Sequence, residues 1–210
     1  YRLRWRPVTI EKDKPLGQAG PLAPDGMIVT RDADMRDEVE TARLAGVAPP
    51  EFGLIGGDLC STVGGRGDPE RLRGPDGTRL PVDAARVVVD GEPHWFVAHL
   101  VARRSWWQGR VVAVMNAQWI GRWDVAPRSH PNDGLLDSFD GNLSLDDRWK
   151  ARGRLITGTH VPHPGISQRR AERLEFDLDP DLDIHLDGVR IGRGRHLEVT
   201  VEPDALICVV

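Results

Sequence analysis

A series of apolar, strand-like segments separated by turn residues fills the chain from Val82 to Val210, and this pattern restricts the fold more than any other feature. Asp-Gly pairs fall between several of these segments, for example Asp90-Gly91 and Asp187-Gly188. Asp-Gly favours tight turns because both residues tolerate a positive φ. The predicted strands are residues 82–89, 94–102, 110–120, 134–139, 171–178, 182–186, 197–201 and 205–210. Strands at this spacing are typical of a β-sandwich or barrel.

One helix is predicted within this β-rich part. Ser144 can cap its N-terminus, and Asp147 can face the first backbone amides. The helix is predicted to run to about Arg152, and its basic last turn agrees with the direction of the helix dipole.

The residues that precede the β-rich part have a different pattern. A short apolar strand at 26–30, a helix at 32–45 and a second strand at 51–55 predict one right-handed β-α-β unit. The glycine-rich segment 56–65 then follows the carboxyl end of the second strand, which is where α/β folds bind ligands. Gly, Asp, Arg and Pro dominate residues 65–77, which predicts a flexible connection.

The predicted fold class is therefore α+β and mainly β. A chain of 210 residues with 40% hydrophobic content can bury one sizeable core. The predicted organisation is an extended lead-in at 1–25, a reduced α/β portion at 26–65 and a large β-sandwich at 78–210.

Charge and cysteine content restrict the partners and the compartment. The net charge of −4 comes from 28 basic and 32 acidic residues that are interspersed, so the chain has no broad basic field for nucleic acid. Cys60 and Cys208 form neither a zinc pattern nor a disulfide framework. Together with the lack of a signal peptide or a membrane-length apolar run, this predicts a cytoplasmic protein. A homodimer is compatible with the sequence.

The turn at residues 132–137 carries carboxylates on both sides of Gly134, at Asp133 and Asp137. Backbone carbonyls and one carboxylate at short range can hold a hard cation such as Mg2+. An ordinary Asx turn accounts for the same residues. Local chemistry leaves both interpretations open.

Two further segments could contact lipid. Trp149 lies within the basic run Arg148–Arg154, and cations beside an aromatic ring suit a membrane interface. A solvated helix face with Trp149 packed onto the sandwich is the alternative. The pair Trp106-Trp107 is either a lipid-contact point or part of the buried packing.

Several segments together resemble a known family. The pattern from Arg110 through Asn116 to Gly121, then Val125-Ala126-Pro127 and 132–137, resembles the C-terminal domain of the bacterial diacylglycerol kinases. These are soluble lipid kinases whose superfamily also holds sphingosine kinases and, more distantly, NAD kinases. The segments 183–188, 197–201 and 203–206 resemble the way these proteins end, so the resemblance covers roughly residues 26–210.

The resemblance implies two cofactors, a structural Mg2+ and ATP. In the family the metal lies at the Asp-Gly-Leu turn, which makes Asp133 the side-chain ligand and the backbone carbonyls of His130 and Leu135 further ligands. The lipid and ATP are expected to meet in the cleft between an α/β nucleotide domain and the sandwich.

The implied nucleotide residues depart from the family pattern. The family's Gly-Gly-Asp-Gly-Thr phosphate loop corresponds to residues 30–35, where side chains replace both glycines and Asp32 and Asp34 are the remaining cation ligands. Asp32 or Asp34 could equally cap the following helix. The family's second, nucleotide-bordering loop corresponds to Gly56, Gly57 and Asp58, whose glycines free the backbone to bind an anion.

The implied catalytic base also differs. The family has Asp-Gly-Glu, in which the glutamate takes the proton from the lipid hydroxyl, whereas this chain has Asp187-Gly188-Val189. Losing a general base lowers a rate by about a hundred- to ten-thousandfold. Asp187 is a substitute base or merely part of a turn. Two functions follow as hypotheses: ATP-dependent phosphorylation of a lipid hydroxyl, or a non-catalytic pseudokinase that binds a lipid or a phosphate-containing ligand.

Overall fold

The computed structural model describes residues 17–210, and within them eleven strands form one large sheet. The elements are β1 (Gln18–Ala19), β2 (Met27–Val29), α1 (Asp32–Ala45), β3 (Phe52–Leu54), α2 (Gly57–Thr62), α3 (Pro69–Arg73), β4 (Thr78–Val89), β5 (Glu92–Phe96), β6 (His99–Arg103), β7 (Val111–Met115), β8 (Trp119–Ile120), β9 (Trp123–Asp124), β10 (Leu136–Gly141), α4 (Leu145–Leu155), β11 (Ile166–Ala171), β12 (Arg173–Leu186) and β13 (Val189–Val209). The mainly β, α+β fold class predicted from the sequence is confirmed.

The long strand β13 organises the sheet. It pairs antiparallel with β12 on one side and with β4 on the other, and the sheet continues in the order β1-β4-β13-β12-β6-β7-β10-β11. Side chains from β4, β6, β7, β10, β12 and β13 share one buried core, so the sheet curves around it. Along β12, Leu174, Phe176 and Leu178 are buried and alternate with exposed residues, as expected for a strand with one face on the core.

The predicted β-α-β unit is present. Strands β2 and β3 are parallel, and α1 lies between them in the chain with the bounds predicted from the sequence. Gly46 ends α1 in the left-handed conformation at φ 69°. Strand β3 also pairs with the end of β13, through Phe52 and Cys208, so the α/β part continues the large sheet.

Several predicted boundaries need correction. The predicted flexible connection contains α3, which Asp68 caps and whose Leu72 is buried against Leu22 and Val209. The glycine-rich segment begins with the short helix α2 instead of remaining a loop. Of the predicted lead-in, residues 1–16 lie outside the described residues, and β1 pairs with β4 in what was expected to be irregular chain.

The strand breaks also differ from the prediction. The sequence predicted breaks at 179–181 and 202–204, but β12 and β13 run through both, with register shifts at these places. Conversely, the predicted strand 94–102 divides into β5 and β6, because the amides of Val97 and Ala98 bond to a side chain instead of a strand. These differences arise from long-range contacts.

Two Asp-Gly turns adopt the predicted conformation. Asp90 and Gly91 have φ of 49° and 96°, and Asp187 and Gly188 have φ of 49° and 82°. Positive φ at both central residues is the pattern of a two-residue hairpin turn that suits the twist of the strands. In the described part of the chain, no helix is long and apolar enough to cross a membrane.

Candidate functional site

An apolar pocket lies between α4 and one face of the sheet. Its walls include Trp106, Val111, Trp123, Phe139, Leu155 and Ile166, and its cavity volume is about 140 Å³. Strand β7 separates this pocket from the main core, since Val112 and Val114 face the core whereas Val111 and Ala113 line the pocket. The alternation of a single strand therefore builds both faces.

Helix α4 forms the roof of the pocket. Arg148, Ala151 and Leu155 line it, and their spacing of three and four residues places them on one helical face. Arg148 is buried and donates to the carbonyl oxygens of Leu143 at 2.9 Å and Trp106 at 3.2 Å, and to that of Gly109. Burial lowers the pKa of Arg148. This side chain therefore anchors α4 to the loop after β6.

Aromatic side chains and one guanidinium form the mouth of the pocket. The rings of Trp107 and Trp149 stack with centroids 6.3 Å apart. The Arg152 guanidinium lies 5.4 Å from the ring centroid of Trp107 and 5.2 Å from that of Trp123. Trp149 is 70% exposed, so it does not pack onto the sandwich as the alternative interpretation required. The two tryptophan segments singled out in the sequence meet here.

The predicted nucleotide loops come together where β2 and β3 end. The Asp32 carboxylate accepts hydrogen bonds from the amides of Asp58 at 2.6 Å and Leu59 at 3.2 Å. A Cβ added to Gly57, whose φ is +96°, would lie 2.5 Å from Asp32 Oδ1, and one added to Gly56 would lie 2.5 Å from the Thr30 carbonyl oxygen. The backbone amides of this loop that could bind an external anion thus already donate to the Asp32 carboxylate.

Burial dominates the electrostatics of Asp32. It raises the pKa of Asp32 to about 6, and the nearby charge of Asp187 acts in the same direction. Asp34, in contrast, is on the surface, where a hydrogen bond from Arg31 lowers its pKa. The structure therefore brings Asp32, Gly56, Gly57 and Asp58 together, whereas the Asp34 carboxylate pairs with Arg31.

Asp58 connects α2 to the large sheet. One carboxylate oxygen lies 3.0 Å from His99 Nε2, and the other accepts the Gly121 amide at 2.8 Å. His99 is buried, which lowers its pKa, but the hydrogen bond with Asp58 and the charges of Asp187, Asp58 and Asp32 outweigh this and raise the pKa overall. His99 was not predicted as a site residue, although a lone histidine within the apolar run 97–101 was a usable signal in the sequence.

Asp187 is a buried acceptor for backbone amides. Its carboxylate accepts hydrogen bonds from Val97 at 3.0 Å, Ala98 at 2.8 Å and His99 at 2.9 Å, and its own amide donates to the His99 carbonyl at 2.9 Å. Burial raises the pKa of Asp187, against the opposing effects of the His99 charge and these amides. Its position in a turn and its burial agree with a structural role.

The carboxylate of Asp133 has partners at both oxygens. Oδ1 accepts the Leu135 amide at 3.0 Å, which is the predicted Asx turn, and Oδ2 pairs with the Arg170 guanidinium. Arg170 Nε also lies 3.8 Å from Oδ2 of Asp137, whose pKa is raised by burial. The oxygen ligands of this turn, as they are arranged, do not fit Mg2+, because the Arg170 guanidinium already supplies the positive charge beside Asp133. The metal role of Asp133, with the carbonyls of His130 and Leu135, stays a prediction.

Asp83 supports the same turn and was also missed from the sequence. Its carboxylate accepts the amides of Gly134 and Asp204, both at 2.8 Å, and burial raises its pKa to about 6. An acidic residue between Val82 and Ala84 in an apolar strand was the available signal. Within residues 17–210, no group of three or more His, Cys, Asp or Glu side chains is arranged to hold a metal ion.

Comparisons with known proteins agree with this architecture. Residues 78–210 match the family described as the YegS C-terminal NAD kinase beta sandwich-like domain. Two structures of a protein from Bacillus anthracis str. Sterne, provisionally named a diacylglycerol kinase, superpose with a TM-score of 0.65 at 13% and 12% identity, covering 88% of this chain and 77% of theirs.

A third structure, of a diacylglycerol kinase from the same organism, has a TM-score of 0.56 at 15% identity and covers 88% of this chain and 75% of that one. Identities this low show a shared fold alone. A search of curated proteins finds no sequence match.

Proposed function

The chain belongs to the family of the YegS C-terminal NAD kinase beta sandwich-like domain, and we propose that it is a diacylglycerol-kinase-like protein that binds the hydrocarbon part of a lipid without phosphorylating it. The apolar pocket beneath α4 carries this proposal. Its ligand is a lipid with a hydroxyl-bearing or phosphate-bearing head group.

The pocket has the size and lining for a hydrocarbon segment. A volume of about 140 Å³ compares with an engineered apolar cavity of about 150 Å³ that takes up benzene. Each methylene removed from water contributes about 0.8 kcal/mol, so about six buried methylenes contribute about 5 kcal/mol before the cost of ordering the chain. The mouth carries Arg152, a cation for an anionic head group.

The residues that phosphoryl transfer would require are engaged otherwise. Phosphate oxygens would compete with the Asp32 carboxylate for the amides of Asp58 and Leu59. A base must reach the lipid hydroxyl, but the Asp187 carboxylate is buried under three amides. We therefore derive no step through ATP or Mg2+.

Active lipid phosphorylation is the second candidate. It is favoured by the convergence of Asp32, Asp58, Asp187 and His99 at the junction of the α/β part and the sandwich, where this family is expected to hold ATP and Mg2+. In that case Gly56, Gly57 and Asp58 would border the nucleotide, and Asp187 would accept the proton.

Thermal denaturation with a short-chain diacylglycerol tests the first candidate. We expect dioctanoylglycerol to raise the Tm in a concentration-dependent way, as any ligand of the native state does. Ala151→Trp should remove the shift, because it fills the pocket from α4. Lys150→Trp is the matched control, since it introduces the same side chain at an exposed position of the same helix. Equal shifts in both variants would exclude this pocket.

A transfer assay separates the two candidates. We expect neither a Tm shift with ATP and Mg2+ nor labelled phosphate on diacylglycerol, in an assay where an active diacylglycerol kinase serves as the positive control. Phosphate transfer that Asp187→Asn abolishes would establish the kinase instead.

A further inference from the structure

We propose that the outer face of α4, together with Trp107, docks onto the surface of an anionic lipid bilayer. The proposal deepens the proposed function, because docking would place the mouth of the pocket at the membrane surface. We call this surface the outer stripe and define it by Trp107, Leu145, Trp149 and Ile156. Its affinity for a bilayer does not depend on whether the pocket takes up lipid.

The outer stripe follows from the helical repeat. Trp149 follows Leu145 by four residues, and Ile156 follows Trp149 by seven. The three side chains therefore lie on one face of α4 and its C-terminal cap. Ala151 and Leu155 lie on another face and line the pocket. The helix thus has an inner apolar face, which the sheet covers, and an outer one with high exposure.

The clustering of these side chains is unusual for a surface. Eight large hydrophobic residues of the described chain are markedly exposed, and four of them form the outer stripe. The exposed fractions are 46% for Trp107, 65% for Leu145, 70% for Trp149 and 50% for Ile156. Single exposed hydrophobic residues are ordinary, but a contiguous group marks an interaction surface.

Charge identifies the partner as an anionic membrane. Arg152 is exposed beside the outer stripe, three residues after Trp149 and four before Ile156, although the whole chain carries a net charge of −4. Lys150 and Arg154 are exposed on the polar face of the same helix. Asp146 and Asp147 lie in the first turn, so positive charge is concentrated towards the Ile156 end. The Arg152 guanidinium is therefore placed where it can reach lipid phosphates while the apolar side chains of the outer stripe enter the interface.

The residue types of the outer stripe agree with a bilayer partner. Tryptophan suits the boundary between head groups and acyl chains, because its ring is apolar and its indole N–H is polar. Arg152 already lies against Trp107 and Trp123, which keeps a cation at the level of the rings.

Vesicle flotation of the full chain tests the proposal. We expect binding to vesicles of phosphatidylcholine mixed with phosphatidylglycerol, much weaker binding to phosphatidylcholine alone, and a decrease with added salt. Trp149→Ser should weaken binding at least about tenfold. Arg152→Glu should weaken it about fivefold or more, since one charge near the membrane surface contributes about that factor.

Matched controls lie on other faces of the molecule. Leu44→Ser removes a residue that is 67% exposed on α1, and Arg195→Glu reverses an exposed cation on β13, so neither should change vesicle binding. Ala151→Trp should abolish the dioctanoylglycerol shift and leave vesicle binding intact. Leu145→Ser, at a residue of the outer stripe that does not line the pocket, should weaken vesicle binding and leave the dioctanoylglycerol shift intact. The two proposals can therefore fail separately.

Three outcomes would overturn the docking proposal. One is equal binding to neutral and anionic vesicles, and another is vesicle binding that Trp149→Ser leaves unchanged. The third is concentration-dependent self-association in the absence of lipid that Trp149→Ser abolishes, which would assign the outer stripe to a protein interface.

Discussion

The pocket beneath α4 and the carboxylate cluster at the ends of β2 and β3 differ in whether they leave room for a ligand. In the pocket, apolar walls face an open volume, and the mouth keeps tryptophans exposed. In the cluster, Asp32, Asp58 and Asp187 each accept hydrogen bonds from buried or partly buried groups of the same chain. The comparison teaches that binding capacity resides where apolar side chains face an unfilled volume, even though the second region has the more reactive residue types.

The largest effect is expected at Asp187. Asp187→Ala leaves the buried amides of Val97, Ala98 and His99 without their acceptor, and unsatisfied buried donors cost about 1–3 kcal/mol each. We expect the free energy of unfolding, measured in urea, to fall by about 3 kcal/mol or more.

Asp90→Ala is the matched control for this variant. Asp90 occupies the same turn position at φ 49° and also accepts backbone amides, but those hydrogen bonds are exposed. A cost as small for Asp187→Ala as for Asp90→Ala would mean that the cluster is not closed, and the contrast with the pocket would fail.

A smaller effect is expected in the pH dependence of stability. Because the pKa of Asp32 is about 6 in the folded chain and 3.8 ordinarily, the folded state binds its proton more tightly than the unfolded state. This contribution is complete below about pH 4 and is lost as the pH rises through about 6, with a total of about 3 kcal/mol. The free energy of unfolding of Asp32→Asn, measured in urea across this pH range, should therefore decline less steeply with rising pH than that of the unaltered chain.

Asp34→Asn is the control on the same helix. The pKa of Asp34 is lowered, so its contribution has the opposite sign and is lost as the pH falls. In Asp34→Asn, the free energy of unfolding should decline with rising pH at least as steeply as in the unaltered chain. If Asp32→Asn leaves the slope unchanged, the Asp32 carboxylate is solvated and open to ligands.

The smallest effect concerns Mg2+. If the Arg170 guanidinium occupies the place of a cation at Asp133, Arg170→Ala should gain a Mg2+-dependent increase in stability that the unaltered chain lacks. Such a gain is only about 0.4 kcal/mol when the Mg2+ concentration equals its Kd. Thermal denaturation with and without Mg2+ measures it, and Arg170→Ala combined with Asp133→Ala should lose it again. A Mg2+ shift in the unaltered chain that Asp133→Ala removes would establish the predicted metal site despite Arg170.

Local patterns predicted the elements that local forces decide. The bounds of α1 match because an apolar repeat runs from Asp32 and Gly46 follows it with the required positive φ. Ser144 caps α4 by accepting the Asp147 amide, as predicted. For the β-rich part, the resemblance is confirmed by the match of residues 78–210 to the family of the YegS C-terminal NAD kinase beta sandwich-like domain.

Long-range partners explain what the sequence did not reveal. Asp133 meets Arg170, which is 37 residues away, and Asp58 meets His99, which is 41 residues away. Neither pair has a periodic or turn signature. The continuity of β12 and β13 through the predicted breaks likewise depends on pairing with neighbouring strands, which compensates for the polar residues at 179–181 and 202–204.

By itself the sequence determined the mainly β architecture, the hairpin turns, both longer helices and the family, because each depends on side-chain periodicity, backbone preference or residue order. Only the tertiary structure decided which carboxylates accept hydrogen bonds from the same chain and which aromatic side chains remain exposed. A hydrogen-bond partner or an open volume is created when distant segments meet. The same residue types therefore gave a closed cluster at Asp32 and Asp187 and an open pocket beneath α4.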